Sequence, residues 1–417
     1  MLRFTSALAA LAVLAALGFL LFALSPEAIE PIPAQPRSAF SELAIERGQR
    51  VALLGNCNVC HTKAGEPSYS GGYGVETPFG TIYGTNITPE PDTGIGGWSF
   101  EAFERAMRSG IGREGEHLYP AFPYDHFTKL SDGDVSALYA FLMTRDPVRR
   151  ETEANDLPFF MRWRPLLAGW KLLGFTEGRF EPEASADPQI EYGRYLVEGA
   201  GHCGACHTPR NLIQAEKISE ALRGGQSAGW TAPAIAGPIE VSVPWTAETL
   251  ETYLRDGFSS DHGAGSGPMQ PVGVNLARTP TEDAAAISRY LLSVMDQEIR
   301  PAKEAGTAAN GEGEALFQGA CFACHGGSAP GNAQGITLDK SSATHESEPR
   351  NLVNFILHGR QPSQGTQGAA MPGFAGVLTR AQIAEITAYV RARYSTEPPF
   401  AELKDTVDQL ADKAGLP

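Results

Sequence analysis

The chain of 417 residues has no cysteine outside three short motifs, and it is poor in positive charge. Lys and Arg number 33 against 48 Asp and Glu, which gives a formal net charge of −15. Nucleic-acid-binding proteins need clustered basic residues, so this balance argues against a nucleic-acid partner. No catalytic triad, phosphate-binding glycine loop or paired-carboxylate site stands out in the sequence. Any oxidation of a substrate is therefore expected to occur in a separate polypeptide.

All six cysteines lie in three copies of the pattern Cys-x-x-Cys-His. The copies comprise Cys57, Cys60 and His61; Cys203, Cys206 and His207; and Cys321, Cys324 and His325. Two thiols one helical turn apart can add to the two vinyl groups of one porphyrin, and the adjacent imidazole can bind its iron. A zinc site would need two ligand pairs around one metal, and a redox disulfide would not need the His. The motifs predict three covalently bound c-type haems, and three irons in one chain indicate electron transfer.

The surrounding pattern indicates one helical module repeated three times. An apolar-periodic segment precedes each motif, a shorter helix ending at glycine follows it, and a capped amphipathic helix closes the module. The leading segments are residues 46–55, 191–199 and 313–319; the glycine-ended helices are 100–110, 247–257 and 351–359; the closing helices are 131–143, 281–294 and 379–393. The expected fold class is mainly α, with three consecutive class I cytochrome c-like domains.

The domain boundaries follow from these modules and from the two ends of the chain. We expect cytochrome c domains at residues 40–150, 186–300 and 305–395, a linker at 151–185, a C-terminal tail at 396–417 on the surface, and an N-terminal membrane anchor or signal segment at 1–28. Residues 4–24 carry no charge, and their length favours an uncleaved transmembrane anchor over a cleaved signal. Both alternatives place the haem domains in the periplasm, and the anchor would hold them at the cytoplasmic membrane.

Two methionines stand where a cytochrome c presents the sixth ligand of its iron. Met269 lies 12 residues after Gly257, and Met371 lies 12 residues after Gly359. Each has a neighbouring proline and precedes a closing helix. We predict that both sulfurs bind iron from an extended loop.

The first module departs from this pattern. Phe122 lies 12 residues after Gly110, and its ring has no lone pair to give iron. His126, four residues further on, is the preferred substitute, with His117, Met107 or an open site as alternatives. A histidine-ligated haem should have a lower potential than a methionine-ligated one. The remaining histidines are expected at the surface or beside haem propionates: His202, His262, His345 and His358.

Over roughly residues 43–395 the chain resembles the three-haem cytochrome c subunits of bacterial membrane-bound dehydrogenases, whose relatives serve alcohol, gluconate, sorbitol, aldehyde and N-heterocycle oxidation. The resemblance rests on the haem motifs and on the strings at residues 76–89, 93–98, 117–124 and 201–210. Alcohol and gluconate dehydrogenase subunits carry Met where this chain has Phe122. Ala-Phe-Pro-Tyr followed by His-Phe resembles instead the subunits that accompany molybdenum hydroxylases.

The resemblance implies an electron-transfer subunit with three haem c groups. Its partners would be a dehydrogenase catalytic subunit with molybdenum, flavin or quinone, and a small iron–sulfur subunit. Its acceptor would be ubiquinone or a terminal oxidase in the membrane. Two other functions stay open: a peroxidase- or reductase-like haem enzyme with an open first haem, and a free-standing electron shuttle.

Overall fold

A computed structural model describes residues 2–183, 187–301, 311–326, 337–362 and 370–416, with the side chains of residues 2–10 left out. The chain divides into two compact units. Unit 1 comprises Met1–Ala184, Tyr195–Ala205 and Arg210–Glu216, and unit 2 comprises Ser185–Arg194, Cys206–Pro209 and Lys217–Pro417. The first predicted cytochrome c domain lies in unit 1, and the third lies in unit 2.

The fold is mainly helical, as the sequence predicts. The helices up to the second motif are α1 (Leu2–Ala23), α2 (Glu42–Leu54), α3 (Cys57–Cys60), α4 (Phe100–Ser109), α5 (Tyr124–Phe127), α6 (Asp132–Met143), α7 (Leu166–Gly174), α8 (Pro188–Tyr195), a π-helical turn at Leu196–Ala200, and α9 (Gly204–His207). The later helices are α10 (Ala247–Asp256), α11 (Met269–Leu276), α12 (Thr281–Val294), α13 (Glu312–Ala320), α14 (Phe322–His325), α15 (Ser342–His345), α16 (Arg350–His358), α17 (Arg380–Tyr394) and α18 (Leu403–Lys413).

Strands are short and occur in pairs. They are β1 (Gly74–Thr77), β2 (Gly80–Tyr83), β3 (Gly225–Ser227), β4 (Trp230–Ala232), β5 (Gly237–Val241), β6 (Phe258–Ser259), β7 (Gly263–Ala264) and β8 (Met295–Ile299). The pairs β1–β2, β3–β4 and β6–β7 are antiparallel hairpins, and β5–β8 is parallel. In each of the first two modules a hairpin follows the Cys-x-x-Cys-His motif.

The leading and closing helices of each module cross at a glycine. A Cβ added to Gly48 would lie 1.9 Å from the Ala137 carbonyl oxygen, and one added to Gly193 would lie 2.0 Å from that of Ala286. In the third module a Cβ on Gly313 would lie 2.4 Å from the Glu385 carbonyl oxygen. Only glycine permits such an approach of two helix backbones. The same packing therefore recurs at α2–α6, α8–α12 and α13–α17.

The predicted glycine-ended and closing helices are confirmed within one residue at their ends. Gly110 and Gly257 cap α4 and α10 with φ of 61° and 65°, the left-handed conformation that favours glycine. Ser131 and Thr379 cap α6 and α17 through their side chains. Thr281 is instead the first residue of α12, and Pro280 precedes it without a side-chain cap.

The C-terminal tail differs from its prediction as a surface segment. Helix α18 buries Val407 and Leu410, which are 1% and 3% exposed. They join the core that α16 and α17 build around Phe317 and Val353. The tail therefore completes the hydrophobic core around α13, because without α18 these helices would leave an apolar face in water.

Within the part of the chain that the structure describes, no helix meets the combined length and apolarity that a bilayer crossing requires. Membrane anchoring through residues 1–28 stays a prediction from the sequence.

Candidate haem sites

The first two Cys-x-x-Cys-His motifs begin at a turn in the left-handed conformation. Asn56, directly before Cys57, has φ 51°, and His202, directly before Cys203, has φ 39°. Residues other than glycine adopt this conformation infrequently. Its recurrence at equivalent positions of two modules indicates that the turn is a repeated part of the module rather than an accident of either loop. The turn ends the leading helix and precedes the short helix of the motif, α3 or α9. In the first motif both cysteines lie on α3, as attachment to one porphyrin requires; in the second, Cys206 lies on α9 and Cys203 is the residue directly before it.

The motif histidines of the first two modules have the hydrogen bond that a proximal haem ligand needs. Nδ1 of His61 lies 2.6 Å from the Thr85 carbonyl oxygen, and Nδ1 of His207 lies 2.7 Å from that of Pro233. Nδ1–H therefore donates, which leaves Nε2 as the nitrogen for iron. Burial lowers the pKa of both imidazoles, so they are held in the neutral form that binds a metal. The sequence did not predict these acceptors, because a backbone carbonyl has no side-chain signal.

The chain packs tightly behind these two motifs. A Cβ on Gly84 would lie 1.8 Å from the Cys60 carbonyl oxygen, and one on Gly225 would lie 2.4 Å from that of Cys206. Glycine thus lets a neighbouring strand end fix the backbone of the motif turn. The residues fit haem c: two thiols on one turn, a neutral imidazole with its Nε2 available, and a fixed backbone.

The third motif begins at the last turn of α13 and continues into α14. Cys321 is partly buried and Cys324 is exposed. The segment 327–336 that follows lies outside the described residues. Cys321 follows the end of α13 directly, whereas two residues separate Cys57 from the end of α2 and Cys203 from the π-helical turn.

The two predicted methionine ligands lie in different local structures. Met371 is half-buried in an extended segment, and its backbone pairs with Arg360 through two hydrogen bonds of 2.8 Å. Met269 is also half-buried but is the first residue of α11 rather than part of an extended loop. A Cβ on Gly265 would lie 3.2 Å from its Cγ, so the loop packs closely against this side chain. Iron ligation by either sulfur stays a prediction.

His126, the predicted sixth ligand of the first haem, has both ring nitrogens in hydrogen bonds. Nδ1 lies 2.8 Å from the Glu198 carbonyl oxygen, and Nε2 lies 2.8 Å from Glu216 Oε1. Burial opposes the charged imidazolium, but the hydrogen bond to Glu216 and its charge leave the pKa of His126 above its ordinary value. The pKa of Glu216 is lowered by this contact despite its own burial. His126 would have to give up one of these hydrogen bonds to bind iron.

The other candidates for the sixth ligand of the first haem also contact neighbouring residues. His117 is buried, with Nε2 3.1 Å from the Ala23 carbonyl oxygen and Nδ1 3.2 Å from Lys171 Nζ. Met107 is a core residue of α4, 3% exposed. Phe122 packs on Phe127, with ring centroids 5.5 Å apart.

Three of the remaining histidines are structural. His262 and His345 are each 8% exposed, and both have hydrogen bonds at the two ring nitrogens. Nε2–H of His202 donates to the Gly55 carbonyl oxygen at 3.1 Å. Of the two predicted positions, surface or beside a propionate, the surface position does not hold for His262 and His345, whereas His358 is exposed; contact with a propionate stays a prediction.

Two family profiles match the chain. The profile described as "Cytochrome c" matches residues 45–146, and the profile described as "Cytochrome C oxidase, cbb3-type, subunit III" matches residues 308–390. The fold and the motifs thus define a c-type cytochrome with covalently bound haem.

Curated relatives refine this assignment. The chain is 34% identical to the gluconate 2-dehydrogenase cytochrome c subunit of Pantoea cypripedii over 85% of this chain and 86% of that protein. It is 33% identical to the fructose dehydrogenase cytochrome subunit of Gluconobacter japonicus over 90% of this chain and 84% of that protein. It is 44% identical to a nicotinate dehydrogenase subunit of Pseudomonas putida over 89% of this chain, but it spans only 32% of that protein's length.

The chain therefore belongs to the family of cytochrome c subunits of bacterial dehydrogenases. Membership implies a role in electron transfer.

Proposed function

We propose that this chain carries three covalent c-type haems and relays electrons from a dehydrogenase catalytic subunit to ubiquinone or a terminal oxidase. The observation that carries this proposal is the threefold repetition of one module. In each module a leading helix crosses a closing helix at a glycine and ends in Cys-x-x-Cys-His. The haem iron, when bound, supplies the redox chemistry, while the protein supplies axial ligands, burial and spacing.

The residues that would hold each haem follow from the modules. Each motif contributes two cysteine thioethers and one proximal histidine. Met269 and Met371 supply the sixth ligands of the second and third haems. For the first haem the sequence predicts His126, but in this arrangement both of its ring nitrogens form hydrogen bonds and neither is available to iron.

The donor is proposed to be a molybdenum-containing enzyme that oxidises an aldehyde or an N-heterocycle, with a small iron–sulfur protein linking its active site to this chain. The similarity to the nicotinate dehydrogenase of Pseudomonas putida and the Phe122 loop support this branch. We place the haem domains in the periplasm, anchored to the cytoplasmic membrane through residues 1–28, since that segment is uncharged from residue 4 to 24.

Purification of the tagged chain from its own membranes tests the proposal. The expected result is a stoichiometric large subunit containing molybdenum, together with an iron–sulfur protein, and anaerobic reduction of the haem absorption bands by the partner's substrate. A large flavin or quinone subunit would retain the electron-transfer role but overturn the proposed branch. A chain that purifies alone, without a reducible partner, would support the free-standing shuttle instead.

A second candidate function is a haem enzyme with an open first site. Phe122 and the two hydrogen bonds of His126 favour it, because neither side chain offers iron a lone pair in this arrangement. Carbon monoxide binding to the reduced protein separates the two functions. An open site predicts binding to one haem in three, whereas a fully low-spin protein that binds no carbon monoxide would exclude this enzyme.

A further inference from the structure

Arg360 lies directly after the glycine that caps α16, and it is buried, with 5% of its surface exposed. The equivalent residues in the first two modules are Ile111 and Phe258, so a cation at this position is particular to the third module. In unit 2 the backbone of Arg360 pairs with Met371, and its N–H and carbonyl each form a 2.8 Å hydrogen bond. The backbone of Arg360 therefore fixes the backbone of Met371, the predicted sixth ligand of the third haem.

The guanidinium of Arg360 reaches the second module within the same unit. Nη2 donates to the carbonyl oxygens of Asp256 at 3.3 Å and Gly257 at 3.1 Å, and Nε donates to that of Gly265 at 3.4 Å. These carbonyls stand at the two ends of the loop β6–β7 that leads to Met269. Gly265 is also the residue whose Cβ would lie 3.2 Å from Met269 Cγ.

A further hydrogen bond joins the same two segments, between the residues next to Met269 and Arg360. Nε2 of Gln270, next to Met269, donates to the carbonyl oxygen of Gln361, next to Arg360, at 2.8 Å. The loop that carries Met269 is therefore tied twice to the segment that pairs with Met371.

The proximal side of the second haem site is tied to α16 as well. The side chain of Asn351 accepts from the Thr231 N–H at 2.9 Å and donates to the Thr231 carbonyl at 2.8 Å. Thr231 lies two residues before Pro233, whose carbonyl accepts from His207. The rings of Trp230 and Phe355 meet edge to face with centroids 5.6 Å apart. Helix α16 and the two residues after its capping glycine, Arg360 and Gln361, thus contact both the segment behind His207 and the loop that leads to Met269.

We propose that Arg360 is a shared positioning residue for the second and third haems. Its buried guanidinium holds the loop that leads to Met269, its backbone pairs with Met371, and its positive charge favours the reduced state of both irons. A cation stabilises the ferrous state, which has one positive charge fewer, so it raises the reduction potential. This inference rests on the proposed function, because it takes Met269 and Met371 as ligands.

Redox titration of the full chain with Arg360→Met tests this inference. The expected result is a downward shift of two of the three haem potentials, with the third unchanged, and weakening of the red charge-transfer band of sulfur-ligated ferric haem. In a variant without the first haem, C57A with C60A, both remaining potentials should move. Arg360→Lys keeps the positive charge but loses the planar guanidinium that reaches several carbonyls at once. Compared with Arg360→Met, it should therefore restore the two reduction potentials more fully than the charge-transfer band.

Arg391→Met is the matched control. Arg391 is equally buried in the third module, but it donates to the carbonyls of Thr344, Glu346 and Pro398, all of that module. Arg391→Met should therefore shift no reduction potential other than that of the third haem.

The R360M protein must first be shown to be folded and to carry three haems by mass. If only one reduction potential then shifts, or all three shift equally, the proposed role of Arg360 is wrong and the proposed function is unaffected. Unchanged charge-transfer bands in both M269A and M371A would instead refute the ligand assignment in the proposed function. Far-ultraviolet circular dichroism and intact mass of each variant distinguish these results from loss of folding.

Discussion

His126 and Glu216 form a buried contact whose loss can be measured separately from haem ligation. We expect His126→Ala to lower the free energy of unfolding by about 2–4 kcal/mol, because it leaves the buried Glu216 carboxylate with Arg210, at 3.9 Å, in place of its hydrogen bond to His126. Both ring nitrogens of His126 are occupied, so the absorption and spin state of every haem should stay unchanged. Chemical denaturation and electron paramagnetic resonance provide the two measurements.

Glu216→Gln is the control for the His126 variant, since it removes the charge and keeps the size of the side chain. It should destabilise the protein without altering any haem. A new high-spin signal from one haem in His126→Ala alone would show that His126 is the ligand predicted from the sequence.

Glu346 gives a pH dependence of stability. Burial raises its pKa from 4.5 to about 7, although Asn351 donates to Oε1; among the described residues, the buried Oε2 has no hydrogen-bond partner. A carboxyl with a raised pKa binds its proton more tightly in the folded state, so its contribution to stability falls as pH rises from 4.5 to 7. We expect Glu346→Gln to be more stable than wild type by about 3 kcal/mol at pH 8.

The difference should nearly vanish at pH 4, where Glu346 is protonated in the folded state and mostly protonated in the unfolded state. Glu385→Gln, on the exposed face of α17, is the matched surface control for the loss of one carboxylate. An equal effect of Glu346→Gln at pH 4 and pH 8 would contradict this assignment.

Single residues differ in how well the sequence predicts them. Cys57, Cys60 and His61 are easy to recognise in the sequence because covalent haem attachment requires their spacing, and their role stays a prediction. Arg360 is not recognisable in this way, because its acceptors are backbone carbonyls about a hundred positions earlier in the chain. For His126 the sequence offers a lone pair in the correct loop, but the acceptors that engage it lie 72 and 90 residues away.

At the scale of elements, the crossing of leading and closing helices depends on glycine. In the third module Gly313→Ala would place its Cβ against the Glu385 backbone, and we expect a loss of about 1–3 kcal/mol from overpacking. Gly319 lies in the same helix, and a Cβ there would meet nothing within 4 Å. Gly319→Ala should therefore be neutral or stabilise by up to about 1 kcal/mol.

Thermal denaturation of both variants provides the comparison. Equal effects of the two substitutions would show that helix propensity, rather than the close approach of α13 and α17, decides stability at Gly313.

The helices themselves were predictable where their signals are local. The ends of α4, α10 and α16 follow from a glycine, and the starts of α6 and α17 follow from a capping hydroxyl. The burial of α18 was not predictable, because its apolar face is short and its partners α16 and α17 are brought to it by the tertiary fold. The position of Met269 on α11 depends in the same way on the packing of Gly265 and Tyr253.

For the whole molecule, the proposed function requires three redox centres in one chain, with potentials set by their axial ligands. Potentiometric titration should therefore resolve three one-electron steps. We expect Met371→His to keep its haem low-spin and to lower one potential without moving the first module's, because imidazole does not stabilise the ferrous state as a thioether does. Retention of all three wild-type potentials in this variant would contradict ligation by Met371.

The mass of the intact, mature protein tests the central claim most directly. The account predicts the mass of the chain plus three haem groups, the loss of one group in each variant in which both cysteines of a motif are replaced by serine, and no cysteine that reacts with an alkylating agent. Fewer than three added haems, or a cysteine pair of the wild type that alkylates freely, would contradict it.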